Sequence, residues 1–147
     1  MEKLQLITLL GSKMNEEVYE VVLPTTTGEI SVFPDHEALV TLAAPGAITV
    51  RRRRTDPDSA LEFFATSGGI IEIANNVVRV LVDEADSGDD IVEEKTRAAL
   101  AEALKLRDQA TANNDLTELS NVQELINSHQ IKLHVAELRR HARRLHN

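Results

Sequence analysis

The last 59 residues, Asp89 to Asn147, hold neither glycine nor proline, while all six glycines and all four prolines lie in the first 88. Proline is expelled from helix interiors by its missing N–H and its ring clash, and glycine by its backbone entropy. A long tract that excludes both predicts long helices. The punctuated first part predicts strands and turns.

The length of 147 residues allows one ordinary domain, or a small domain with an appendage, and the split favours the second. Eight short apolar runs occupy the first part: Leu4 to Leu10, Val18 to Leu23, Ile30 to Phe33, Ala38 to Ala43, Ala47 to Val50, Leu61 to Ala65, Ile70 to Ile73 and Val77 to Val82. Turn formers separate them, among them Pro24 to Gly28, Pro45-Gly46, Gly68-Gly69 and Asn75-Asn76. A spacing of about ten residues predicts an antiparallel β-sandwich over residues 1–84. Residues 85–90 read as an acidic linker, and 91–147 as an antiparallel two-helix hairpin.

In the first helix Val92, Ala99, Ala103, Leu106 and Ala110 share a stripe; in the second Leu119, Val122, Ile126, His129, Leu133 and Ala136 do. Asp90 and Glu93 suggest a capping box for one helix, and Asp115 with Glu118 the start of the other. An alanine-rich seam removes little apolar area from water, so at about 25 cal/mol per Å² the hairpin should open easily. A helix of roughly 30 residues is about 45 Å long, against a radius of gyration near 12 Å for a domain of this size. The second helix must overhang the sandwich, which would present its tip away from the body.

Net charge is −8, unevenly spread. Lys132, Arg139, Arg140, Arg143 and Arg144 against Glu137 make residues 132–147 carry +4, leaving −12 on residues 1–131. Such a basic helix end suits an acidic protein surface or nucleic acid. With only Tyr19, Phe33, Phe63 and Phe64 as aromatics, a base-stacking platform is absent, which disfavours nucleic acid. Arg51 to Arg54 reads as a hairpin tip that is solvated or faces a partner.

Cysteine is absent, which excludes disulfides, thiolate metal sites and cysteine nucleophiles. His129, His134, His141 and His146 are spaced by five, seven and five, so they do not converge on a metal from one helix. The acidic run Asp83 to Asp90 fails the register of a calcium loop. His36, flanked by Asp35 and Glu37, has no nucleophile beside it in sequence, and neither a phosphate loop nor a serine elbow occurs. Cofactors are expected to be none. With no signal-peptide pattern and no membrane-length apolar run, the reading is a soluble intracellular protein.

The stretch Gly28-Glu29-Ile30-Ser31-Val32-Phe33-Pro34-Asp35-His36-Glu37-Ala38-Leu39, followed by Pro45-Gly46-Ala47-Ile48, resembles the epsilon subunit of bacterial and chloroplast F-type ATP synthases. A second block, Phe64-Ala65-Thr66-Ser67-Gly68-Gly69-Ile70-Ile71-Glu72-Ile73 and then Asn76 to Val82, resembles the family's serine-glycine-glycine strand pair. The resemblance implies a non-catalytic rotor subunit of a proton-translocating synthase. Its sandwich would couple the central-stalk gamma subunit to the membrane c-ring, and its mobile helices would extend to the catalytic beta subunits and inhibit ATP hydrolysis.

By the same resemblance, Glu29, Pro34 and His36 would meet the membrane ring, while Lys132, Arg139, Arg140, Arg143 and Arg144 would make the inhibitory contact. Its place would be the cytoplasmic face of the bacterial inner membrane, peripherally, or the stromal side of the thylakoid. There are two departures. The family's proline-glycine-histidine is Pro34-Asp35-His36 here, which would alter the local turn. The ATP-binding pattern of some members is broken by Val92 and Lys95 where a carboxylate and an arginine belong, so intrinsic ATP binding is not expected. The competing reading is a β-sandwich and coiled-coil interaction adaptor.

Overall fold

The computed structural model describes residues 1–145; His146, one of the clustered histidines, lies outside the described residues. Ten strands precede two helices. They are β1 (Glu2–Thr8), β2 (Gly11–Val18), β3 (Glu20–Thr25), β4 (Gly28–Val32), β5 (Leu39–Ala43), β6 (Gly46–Arg51), β7 (Glu62–Thr66), β8 (Gly69–Ala74), β9 (Val77–Val82) and β10 (Ala85–Ser87), then α1 (Glu93–Ala112) and α2 (Leu116–Arg144). The sheet runs β10-β7-β6-β3-β5-β8-β9-β1-β2, with β4 on β3, and curls into a sandwich. Every pair is antiparallel except β1 with β9.

Alternation builds the core. Leu4 and Leu6 of β1, Val21 and Leu23 of β3, Ile71 and Ile73 of β8 and Val78, Val80 and Val82 of β9 point inward and are buried. Glu2 stands in the same inward row of β1, 1% exposed, and neither carboxylate oxygen has a hydrogen-bond partner. Burial pushes its carboxyl up to about 7; Glu20 adds to the rise and the chain's α-amino group opposes it.

Two strands depart from the expected eight runs. In β2 only Met14 and Val18 are buried, so Gly11–Val18 lacks a strand's apolar alternation and takes its extension from pairing with β1. Residues 85–90, expected as a linker, form β10 against β7 and then a 3₁₀ turn at Gly88–Asp90. At the Asp35 departure the chain turns at Pro34-Asp35. Asp35 adopts φ +67°, the left-handed conformation glycine would supply, and short polar side chains tolerate it. Its N–H donates to Asn76 Oδ1 at 2.6 Å, and Asn76 Nδ2 donates back to Asp35 Oδ1 at 3.1 Å.

The glycine pair has a steric reason. A Cβ on Gly69 would lie 2.0 Å from the Leu81 carbonyl oxygen, and Gly68 sits at φ +97° with its missing Cβ 2.9 Å from the Ala43 oxygen. Only glycine lets β8 start this close to β9 and β5.

α1 starts without the expected box: its N-cap is Val92, which has no side-chain cap, because Asp90 closes the 3₁₀ turn and Glu93 pairs with arginines instead. α2 starts as expected, Asp115 accepting from the Glu118 N–H at 3.0 Å. The helices pack through Ala103, Val122 and Ile126 with Leu100, Leu104 and Leu106. Val92, expected on this seam, is instead exposed.

α2 carries a second apolar face. Val135 and Ala142, with Ile131 and Leu138, pack on Phe63, Ala65, Ala47 and Leu61 of the sandwich. The hairpin is therefore folded down. Its overhang lies at the interhelical end, and the basic tip is docked on the body rather than held away from it.

Candidate partner-binding surfaces

Strand register defines two ends of the sandwich. At one lie the β3–β4 hairpin with Glu29, the β1–β2 tip, Ala43 and Gly69. At the other lie Pro34 to Leu39, the Asn75-Asn76 turn and the chain start. β4 separates Glu29 from Pro34 by about 17 Å at 3.3 Å per residue, so Glu29 is not brought together with Pro34 and His36. His36 Nδ1 donates to the Glu37 carbonyl at 2.6 Å, and Phe33 packs edge-on against Tyr19 with centroids 5.6 Å apart.

The outer face of the sheet carries an apolar row that the sequence reading missed. Leu42 opposes Ile70, Ile70 opposes Leu81, and Leu81 opposes Ile7, one residue from each of β5, β8, β9 and β1. Leu42 is 57% and Ile70 44% exposed. Beyond the row, Leu9 and Leu10 at the β1–β2 tip are 81% and 95% exposed. In the neighbouring row exposed Val40 opposes Glu72, and Arg79 stands 3.5 Å from Glu72 and donates to Gln5 at 3.2 Å. An exposed apolar stripe beside an ion-paired one marks a protein contact surface.

The basic helix end meets the segment that joins β10 to α1. Arg140 Nη1 donates to both Glu93 oxygens, at 2.6 and 2.7 Å, and Arg139 Nε donates to Asp89. Arg143 donates to the Ser59 and Leu61 carbonyls at 2.6 and 2.8 Å and stands 4.0 Å from Asp89; Lys132 lies 3.7 Å from Asp86. Arg144 is exposed and has no ion-pair partner among the described residues. The acidic run thus serves as counter-charge for the helix end.

Of the other arginines, Arg51 is tied to Glu20, the Asp56 carbonyl and Asp58, the last of which raises its pKa most, and Arg52 to Glu16 and Glu62. Arg53 and Arg54 stay exposed. His129 is half-buried, its pKa lowered first by desolvation and then by Lys132. Among the described residues there is no group of three or more His, Cys, Asp or Glu placed to hold a metal, and no helix is long and apolar enough to cross a membrane.

Residues 2–88 match the family described as ATP synthase, Delta/Epsilon chain, beta-sandwich domain. The chain is 35% identical over 116 residues to the ATP synthase epsilon chain of Prochloron didemni, covering 79% of this chain and 82% of that one. To the ATP synthase epsilon chain of Herpetosiphon aurantiacus it is 30% identical over 139 residues, covering 94% and 96%, so that likeness includes the helices. Among solved structures it is similar to a chain of the Euglena gracilis mitochondrial ATP synthase OSCP/F1/c-ring complex, with a TM-score of 0.72, 23% identity, and 86% and 76% of the two chains covered. That likeness shows a shared fold. With the sandwich matched over most of its length and epsilon chains as its relatives, the protein belongs to the ATP synthase delta/epsilon family, as an epsilon-type chain.

Proposed function

We propose that this chain is a non-catalytic central-stalk subunit of a proton-translocating F-type ATP synthase, whose sandwich couples the stalk to the membrane ring and whose helices restrain ATP hydrolysis. The observation that carries the reading is the outer-face apolar row Leu42-Ile70-Leu81-Ile7, exposed at Leu42 and Ile70 and half-buried at Leu81 and Ile7, continued by Leu9 and Leu10. It suits a gamma-type stalk partner that turns with the sandwich.

The exit of the chain supports one orientation in the assembly. β10 runs from Thr66 towards Phe64, away from the Glu29 end, so an arm swung out from its base projects past the His36 end. The head then lies beyond His36 and the ring beyond Glu29. In this reading Glu29 touches the c-ring, while Pro34 and His36, which the resemblance placed at the ring with it, face the stalk. The released arginines of α2 would meet acidic beta-subunit surface. We read no intrinsic ATP site, since Val92 and Lys95 break the pattern and Arg139 and Arg140 already hold carboxylates. The place of action is the cytoplasmic face of a bacterial inner membrane, or the stromal side of a thylakoid.

The test is ATP hydrolysis by the cognate head-and-stalk complex, reconstituted with the full chain or with one ending at Gly88. Higher activity with the short chain at equal occupancy is expected. Equal activity rejects the inhibitory arm, and failure of both forms to bind rejects the stalk assignment.

A further inference from the structure

Four of the five cations proposed to act on the catalytic head are occupied within this chain. Lys132, Arg139 and Arg140 face Asp86, Asp89 and Glu93, and Arg143 spans two backbone carbonyls and Asp89. All three carboxylates come from one eight-residue stretch, 86–93, which also forms the base of the arm. The arrangement is competitive: a guanidinium bound to Asp89 or Glu93 is not free to bind an acidic partner.

We infer that Asp89 and Glu93 mask the inhibitory arginines, so that the arm is itself restrained by an electrostatic latch at its own root. The inference rests on the stalk reading for what the freed arginines do; the masking is a property of the chain alone. The latch is tunable. The side chains of Asp89, Arg139 and Arg140 are each more than a third exposed and that of Glu93 a quarter, so their attraction is screened by salt, whereas the Val135 and Ala142 contacts beneath them are not. Pairs of this kind are individually weak, and the removal of three shifts an equilibrium on the order of tenfold.

Masking also separates two kinds of substitution that a simple basic tip would not. Neutralising an arginine weakens both the latch and the contact with the head. Neutralising Asp89 and Glu93 leaves every arginine of the contact in place and weakens the latch, at the cost of one further pair inside α1, Glu93 with Arg97, and so strengthens inhibition.

The experiment uses the full chain, whose lack of cysteine lets spin labels be placed at Thr55→Cys and Leu145→Cys, an exposed loop of the body and the exposed helix end. In wild type the labels should report one short distance at about 0.1 M salt and a growing long-distance population towards about 1 M, as the Debye length falls from about 10 to 3 Å. Asp89→Asn with Glu93→Gln should show the long population already at low salt, raised on the order of tenfold. Added Mg-ATP should move neither. An unchanged distance in the double variant overturns the latch, and a shortening by Mg-ATP overturns it in favour of a nucleotide clamp on the same arginines. In the reconstituted complex the double variant should hydrolyse ATP more slowly than wild type, and Arg139→Gln with Arg140→Gln faster. If the labels separate while hydrolysis stays level, masking stands and the inhibitory reading fails.

Discussion

Glu2 offers a prediction whose size follows from its surroundings. The carboxyl is buried and unpartnered, with a pKa of about 7 in the folded chain against 4.5 for the exposed group. A raised acid is a proton held more tightly by the folded state. As pH rises from 4.5, the unfolded chain therefore releases this proton first, and stability falls until the folded-state pKa is passed; above about 7 the loss is complete. At about 1.4 kcal/mol per pKa unit the shift corresponds to about 3 kcal/mol between pH 4.5 and 8. Glu2→Gln keeps the shape and the buried polarity but cannot ionise. Urea unfolding of both chains across this range isolates the group, because every other titration cancels in the difference. The variant should match wild type near pH 4.5 and exceed it by about 3 kcal/mol at pH 8. A gap that stays constant with pH would refute the reasoning, for it would mean that Glu2 finds water or a cation when it ionises.

Two further outcomes test the packing. Gly69→Ala forces a Cβ onto the Leu81 carbonyl and should cost about 3 kcal/mol in chemical denaturation; a loss below about 0.5 kcal/mol would show that β8 can shift. Val135→Ala leaves a void between α2 and β7 and should weaken the docked arm by about 2 kcal/mol, read as faster hydrogen exchange in α2 with β8 and β9 unchanged. Uniform acceleration through the sandwich would refute the idea that the arm opens independently.

Much of the architecture was legible because its signals are local. The glycine and proline boundary separated sheet from helix, and Asp115 marked the start of α2. What escaped depended on partners distant in the chain. β2 shows only two buried residues, and β10 is the triplet Ala85-Asp86-Ser87, which becomes a strand because Thr66 to Phe64 offers an open edge. Glu2 reads as a solvated terminus until the pairing of β1, in which it opposes Val18 of β2, turns it inward. The sandwich-facing stripe Ile131, Val135, Leu138 and Ala142 has helical spacing and was visible in principle; the choice of the Val122-Ile126 seam hid it. The outer row Leu42-Ile70-Leu81-Ile7 exists only in the paired sheet, since its members come from four separate strands.

The two apolar faces of α2 also constrain whatever receives it. Lifted from the sandwich and parted from α1, this helix would show water Val122 and Ile126 on one flank and Ile131, Val135 and Leu138 on another. A flat acidic wall would satisfy its arginines and leave both flanks wet. The receiving site should therefore be a cleft that closes around the helix, and the arm should pass directly from one enclosure to the other, with little time spent adrift between them.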